Sequence, residues 1–526
     1  MINIDELRDR TSEYDVITFD VFDTLIIRDL PKPSELFKYE YGAPGKVYRI
    51  FAEFMANKTS KSEEITMDEI YKYLPYDIKR EIEFEKRICR ANPKMLTFYN
   101  SIKDTKKVYA ISDMYLPETV IREILMNSGY DIKDVYVSST YGKRKTNGEL
   151  YKLFLEKENI KPEKVCHIGD NDVSDISGAA IAGIASVKVN RHTNELSYRK
   201  ISRKNYELNS FIDHGICEID NPTERIGYEI VGPIILGFCQ WVHDRYLHYG
   251  YDKMFFLARD MRYTYETYKL IYPKDSIDYL CVSRKSFEYA KTNPDSIVEY
   301  FKKMGCHGNV AIVDTGWIGH AQAEIEKYAK LIDNNSDIGG LYLGSQVPYR
   351  WIKRSKRSEV CYFKTFCQQF RCELYPPFME TLIGSNEKQV ISYKDGNPVY
   401  DRDEDIDRTN IVKDGATRFI NDWIDIKNNK DIDKKAAITA YERSFRYPKD
   451  EHIKLLGDFE YENLKSTKLF TYSEEENYIL HIGKWLSDLA DSGWKGAFFK
   501  KNPWYFRILF HPYLIVNAVR MMIVNR

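Results

Sequence analysis

This 526-residue chain has no run of the ~18 uninterrupted apolar residues that a helix needs to cross a bilayer, so no membrane-spanning helix is expected. Its net charge is close to zero: 78 Lys and Arg stand against 79 Asp and Glu. That leaves no global attraction for nucleic acid, and any basic patch must be local. It also has no C-x-x-C pair. Its nine cysteines, at 89, 166, 217, 239, 281, 306, 361, 367 and 372, are scattered, and an odd number cannot all pair. Zinc knuckles and dithiol redox sites are thereby disfavoured, and free buried thiols in a reducing compartment are the simplest reading. Met1 to Glu13 is polar and lacks the apolar stretch of a secretory signal, so the expected location is the cytoplasm. No internal repeat is visible.

With 43% hydrophobic and 30% charged residues, the composition suits packed domains with little room for extended disorder. At about 150 residues per domain the length suggests roughly three units. Tyrosine is abundant, at 41 residues, which is a weak pointer to sugar- or partner-binding surfaces.

An apolar strand over 14–19 delivers Asp20 at its end. Residues 34–100 read as amphipathic helices broken by Pro44, Pro75 and Pro93. Strands then alternate with helices: strands near 107–111, 135–138, 165–168 and 185–189, helices near 117–127, 148–158 and 175–182. Such alternation means β-α-β units and a doubly wound parallel sheet, with 34–100 inserted after the first strand. A basic polar stretch, 190–209, reads as a linker. Alternation resumes with strands near 253–257, 279–282, 310–313 and 340–343, a second α/β domain. Residues 384–410 read as loop and 411–526 as mainly helical.

Four short segments fall where a strand ends or a helix begins. In the first, Asp20-Val21-Phe22-Asp23-Thr24, a strand-end carboxylate lies where open α/β sheets bind ligands and can act as a nucleophile; an acidic turn is the plain alternative. In the second, the hydroxyl of Ser112 can hold a phosphate oxygen, or Ser112 and Asp113 simply cap a helix. In the third, Lys143-Arg144-Lys145, one ammonium can offset the charges that meet when a carboxylate attacks a phosphate, and Lys145 lies closest to the following helix. A solvated basic loop is the alternative. The fourth, His167-Ile168-Gly169-Asp170 through Asp175, sets two carboxylates five positions apart across a strand end and a helix start, which suits a hard cation. Small residues at 178–180 and 182–183 let that helix pack closely on the sheet.

In this order and on these elements, the four segments over about residues 14–195 resemble the haloacid dehalogenase (HAD) superfamily. The resemblance implies a Rossmann-like core with a helical cap at about 30–103. It makes Asp20 the nucleophile, matches Thr24, Ser112 and Lys145 to the family's phosphate-holding residues, and matches Asp170 and Asp175 to its acidic signature. It further implies Mg²⁺ held by Asp20, Asp170, Asp175 and the backbone carbonyl of Phe22. There is one departure. Phosphatases of the family carry a second Asp, the general acid/base, two positions after the nucleophile; here that position is Phe22, and an Asp comes one residue later, Asp23. Dehalogenases of the family also lack the second Asp. The expectation is therefore a Mg²⁺-dependent phosphatase in which Asp23 or a water stands in as proton donor. A metal-independent dehalogenase-like hydrolase is the first alternative, and a non-catalytic binding module of a polysaccharide-assembly complex is the second.

In the second α/β domain, expected at 210–385, Arg259 and Asp260 follow a strand, and Asp314-Thr315-Gly316-Trp317-Ile318-Gly319 links a strand to a helix. The backbone N–H groups of such a glycine loop can bind an anion, and a tight turn is the alternative. The two-domain combination resembles bacterial HAD proteins found with surface-polysaccharide enzymes. That resemblance implies a small phosphorylated sugar or glycan precursor as substrate and glycan-biosynthesis enzymes as partners. In the mainly helical region 410–526, residues 496–526 hold five Lys or Arg, no Asp or Glu, and dense apolar residues. This profile suits either a helix pair lying on an anionic membrane or a helix docked on its own protein.

Overall fold

Alternation of apolar and polar-capable positions sets which face of each strand is covered. The strands are β1 (Val16–Phe19), β2 (Ile26–Arg28), β3 (Cys89–Ala91), β4 (Lys107–Ser112), β5 (Val135–Val137), β6 (Val165–Gly169) and β7 (Ala185–Lys188). Five of them form one parallel sheet in the order β5-β4-β1-β6-β7. Along β1 and β4 the period of two is visible. Ile17, Phe19 and Ala110 face a core with the helix Pro93–Ile102, where Phe98 meets Phe19 edge to face, and Val16, Tyr109 and Ile111 face the helix Glu149–Glu158 through Tyr151 and Phe154. Both faces are thus covered, as a parallel sheet requires. In this Rossmann-like α/β arrangement the order reverses beside β1, and the crevice beyond its carboxyl end is where such sheets bind ligands.

The structure is a computed structural model, and it describes residues 4–30, 35–132, 134–189, 206–216, 219–316, 320–344, 357–362, 376–385, 387–401, 410–457, 459–461, 467–469, 472, 478–513 and 515–516. Between β1 and β4 stand the helices Glu35–Thr59, Met67–Tyr71 and Ile78–Ile88, the first bent at Gly42 two residues before Pro44. The short antiparallel pair β2/β3 carries the chain out and back. Buried ion pairs line the inner side of these helices: Arg28 Nε to Glu85 Oε2 at 3.0 Å and Arg49 Nε to Glu81 Oε2 at 3.2 Å. The inserted helices end at Ile88, and Pro93–Ile102 belongs under the sheet, so the cap is shorter than the expected 30–103.

The chain divides into two compact units, Met1–Cys217 and Glu218–Arg526. The helix Tyr206–Ile216 lies in the first, where His214 Nδ1 stands 3.7 Å from the buried Asp29. In the second unit, β8 (Lys253–Leu257), β9 (Ile277–Leu280), β10 (Asn309–Asp314), β11 (Asp337–Tyr342) and β12 (Ser358–Val360) form a parallel sheet ordered β12-β11-β10-β8-β9. The sequence reading set 410–526 apart from the second sheet. Instead, the helix Asn410–Lys427 lies so close to the helical run before β8 that a Cβ at Gly227 would fall 1.8 Å from the Val412 carbonyl oxygen. Residues 384–410 are also not all loop, because β13 (Val390–Lys394) and β14 (Asn397–Tyr400) pair as a hairpin. Its turn, Asp395-Gly396, has both residues at positive φ, the geometry that Asp-Gly turns supply. Among the described residues no helix is long and apolar enough to cross a membrane, and the cysteines at 89, 166, 239, 281 and 306 are free.

Candidate active site

Where β1 stops, the Asp20 N–H donates to the Ile168 carbonyl at 2.9 Å, which ties the carboxylate's backbone to the neighbouring strand β6. Asp170 follows the end of β6. Asp175 comes back to the same place because residues Asp172–Ser177 form a wide π turn, a feature often found at functional sites. Its Oδ2 accepts the Asn171 N–H at 2.9 Å. Gly169 is obligatory here, since a Cβ would lie 2.4 Å from the Asp175 carboxyl carbon. Asp20, Asp170 and Asp175 each offer an oxygen within 4.8 Å of the others.

Lys145 reaches this cluster from the loop before the helix Glu149–Glu158. Its Nζ donates to Asp20 Oδ1 and to Asp175 Oδ1, both at 2.6 Å, with 1% of the residue exposed. The ammonium keeps its proton far above the ordinary lysine range: burial opposes this, but the carboxylates on either side outweigh it. Burial would also raise Asp175, yet Lys145 and His167 hold it below the usual carboxylate range. Asp20 is pushed up to about 7, first by burial and then by the like charges of Asp175 and Asp170, against the pull of Lys145. A carboxylate held that high needs a further cation to be fully ionised at neutral pH. The donor set, three carboxylates, fits a hard divalent ion such as Mg²⁺.

Two supports went unseen in the sequence. Asp113 accepts the Lys145 backbone N–H at 2.9 Å and so fixes the loop that carries the ammonium. His167, fully buried in β6, bonds Thr18 Oγ1 at 2.8 Å through Nδ1 and stands 3.5 Å from Asp175 through Nε2; burial keeps its ring neutral. The available signal was a polar side chain at one position of each of two otherwise apolar strands, Thr18 and His167, which pair across β1 and β6.

The remaining site residues are placed as follows. Ser112 ends β4 and is buried. Thr24 is fully buried, its hydroxyl has no hydrogen-bond partner, and its carbonyl accepts from Asn92 Nδ2 at 2.9 Å. The Phe22 ring lies 3.8 Å from the Arg28 guanidinium. Asp23 adopts φ +64°, and its charge is felt by Arg28 and by His214.

In the second unit, Arg259, Asp260, Asp314 and Gly316 come together at the carboxyl ends of β8 and β10, where the strand order reverses. Burial and the neighbouring Asp260 push Asp314 up to about 7. The backbone amides of Thr315 and Gly316 act against this rise. Gly316 has φ +89°, and a Cβ there would strike the Tyr342 ring at 2.4 Å, so this position needs glycine. Gly319 lies outside the described residues.

Residues 14–183 match the family model described as haloacid dehalogenase-like hydrolase, and over that span the chain carries a HAD-like hydrolase domain. Among solved structures, a HAD family enzyme from Bacteroides thetaiotaomicron is similar at 14% identity and TM-score 0.27, covering 34% of this chain and 94% of that one. The putative HAD-hydrolase YfnB from Bacillus subtilis, bound to magnesium, matches at 18% identity and TM-score 0.26, covering 34% of this chain and 89% of its own. A 2-haloacid dehalogenase from Pseudomonas syringae matches at 14% identity and TM-score 0.26, covering 33% of this chain and 86% of its own. No curated protein matches the sequence.

Proposed function

We propose that the first unit hydrolyses a phosphate ester with Mg²⁺ through an aspartyl-phosphate on Asp20. The observation that carries this reading is the convergence of Asp20, Asp170 and Asp175 around Lys145. An Asp20 oxygen attacks phosphorus, the bond from phosphorus to the ester oxygen breaks, and the leaving oxygen takes a proton. Water then attacks the phosphorus of the acyl-phosphate, which returns Asp20 and releases inorganic phosphate. Lys145 neutralises charge beside the nucleophile, and Ser112 lies at the end of the adjacent strand, where a hydroxyl can hold a phosphate oxygen. Mg²⁺, when bound by Asp20, Asp170 and Asp175 with the Phe22 carbonyl, would supply the charge that keeps Asp20 ionised. With Phe22 at the usual acid position, the leaving group draws its proton from Asp23 or from water. Loss of a general acid costs roughly 10²–10⁴-fold in rate, so a slow enzyme is expected. The substrate class we infer is a small phosphorylated sugar or related glycan precursor, on the two-domain resemblance in the sequence.

Phe22 favours one second reading, a dehalogenase-like displacement at carbon through the same Asp20. A panel of sugar phosphates assayed for phosphate release with Mg²⁺, with chelator and in Asp20→Asn separates the two. Release that needs Mg²⁺ and vanishes in Asp20→Asn supports the phosphatase. Release that persists in Asp20→Asn rules out the nucleophile, and turnover of haloacids indifferent to chelator supports the second reading.

A further inference from the structure

Near the last described residues the chain carries many apolar side chains, and only some of them are covered. Trp504–Arg507 is helical, and turns and helical stretches follow through 513 and at 515–516. Phe506 and Phe510 point inward, with Tyr513 packed behind them, into a cluster with Trp485, Leu489, Phe498 and Phe499. Other positions carry apolar residues that no described residue covers: Trp504 is 70% exposed, Ile508 61%, Ile515 64% and Val516 67%. An amphipathic helix docked on its own protein has a polar outer side; one that is apolar all round is matched to a second apolar phase.

Charge decides which phase. From Gly496 onward there is no Asp or Glu; Lys500 is paired with Asp450 at 3.3 Å, while Lys501 and Arg507, close to Trp504 in the chain, are exposed. A second copy of the chain would bring the same positive charges against these. An anionic lipid surface complements them, and an exposed Trp at the edge of the stripe suits the headgroup boundary. We infer that residues 504–516 lie in the interface of an anionic membrane, with Trp504, Ile508, Ile515 and Val516 inserted among the acyl chains and Lys501 and Arg507 at the headgroups. The residues buried in the cluster hold the helix to the protein while the exposed registers hold it to lipid. This inference is independent of the chemistry at Asp20.

The full chain is sedimented with vesicles of phosphatidylcholine alone and of phosphatidylcholine with phosphatidylglycerol. Binding is expected to the anionic vesicles, weakening as salt is raised. Trp504→Ser with Ile508→Ser should abolish it at every salt concentration. Lys501→Gln with Arg507→Gln should weaken it about fivefold for each charge removed and flatten the salt dependence. All four positions are exposed, so unchanged melting of the variants is the folding control. Absence of binding to anionic vesicles, binding that survives Trp504→Ser with Ile508→Ser, or a dimer in sedimentation equilibrium that this pair dissolves would each overturn the inference, the last by showing a second copy on the stripe.

Discussion

Lys145 is a single cation shared by two carboxylates, each 2.6 Å away, in a place where almost no water reaches. Removing the charge leaves Asp20 and Asp175 facing each other uncompensated, and breaking a buried pair in this way costs about 3–5 kcal/mol. Lys145→Met should therefore melt at lower temperature in calorimetry, recover part of the loss when Mg²⁺ is added, and release phosphate at least ~10²-fold more slowly. Unchanged melting would mean that the ammonium is solvated. At this scale much of the site was legible from the order of strand-end residues: Asp20, Lys145, Asp170 and Asp175 do meet. Asp113 was not, because a carboxylate after a strand reads equally well as a helix cap, and its bond to the Lys145 amide spans 32 residues. Nor was the positive φ of Asp23, which no sequence pattern announced.

Elements position those residues only where backbones approach closely. Gly178 begins the helix Gly178–Ile181, and a Cβ there would lie 2.1 Å from the Lys145 carbonyl oxygen. Gly178→Ala must push the lysine loop away. Overpacking of this kind costs about 1–3 kcal/mol, and displacement of Lys145 by an ångström is expected to slow phosphate release by roughly 10². A melt and an assay on the same preparation check both. In the second unit Asp314, raised to about 7, binds more protons folded than unfolded between about pH 4 and pH 7, so it makes stability fall as pH rises through that window. Asp314→Asn removes the charge at nearly the same side-chain shape. It should match the wild type near pH 4 and melt higher at pH 8, by about 2–4 °C for each kcal/mol recovered; equal melting at both pH values would refute the raised carboxylate. The hairpin β13/β14 had a readable signal in Asp395-Gly396, but the surrounding Asp, Asn and Lys weighed more in a reading by composition.

Taken whole, the chain is two units, each with its own parallel sheet and its own order reversal. Mg²⁺ that binds the first unit in its folded state stabilises that unit alone, by about 2.7 kcal/mol at a hundred times its dissociation constant. Calorimetry of the intact protein should show two transitions, of which only one shifts with Mg²⁺, a shift that Asp20→Asn removes. The alternation of strands with helices, and the position of carboxylates and lysine at strand ends, followed from sequence alone, because side-chain period and turn chemistry are local. The number of units, the allegiance of Tyr206–Ile216 and Asn410–Lys427, the support of Asp175 by His167 and of Lys145 by Asp113, and the uncovered side of 504–516 were decided only in three dimensions. Each depends on which distant surface a helix or loop meets, and an apolar stripe records that it must be covered without recording by what.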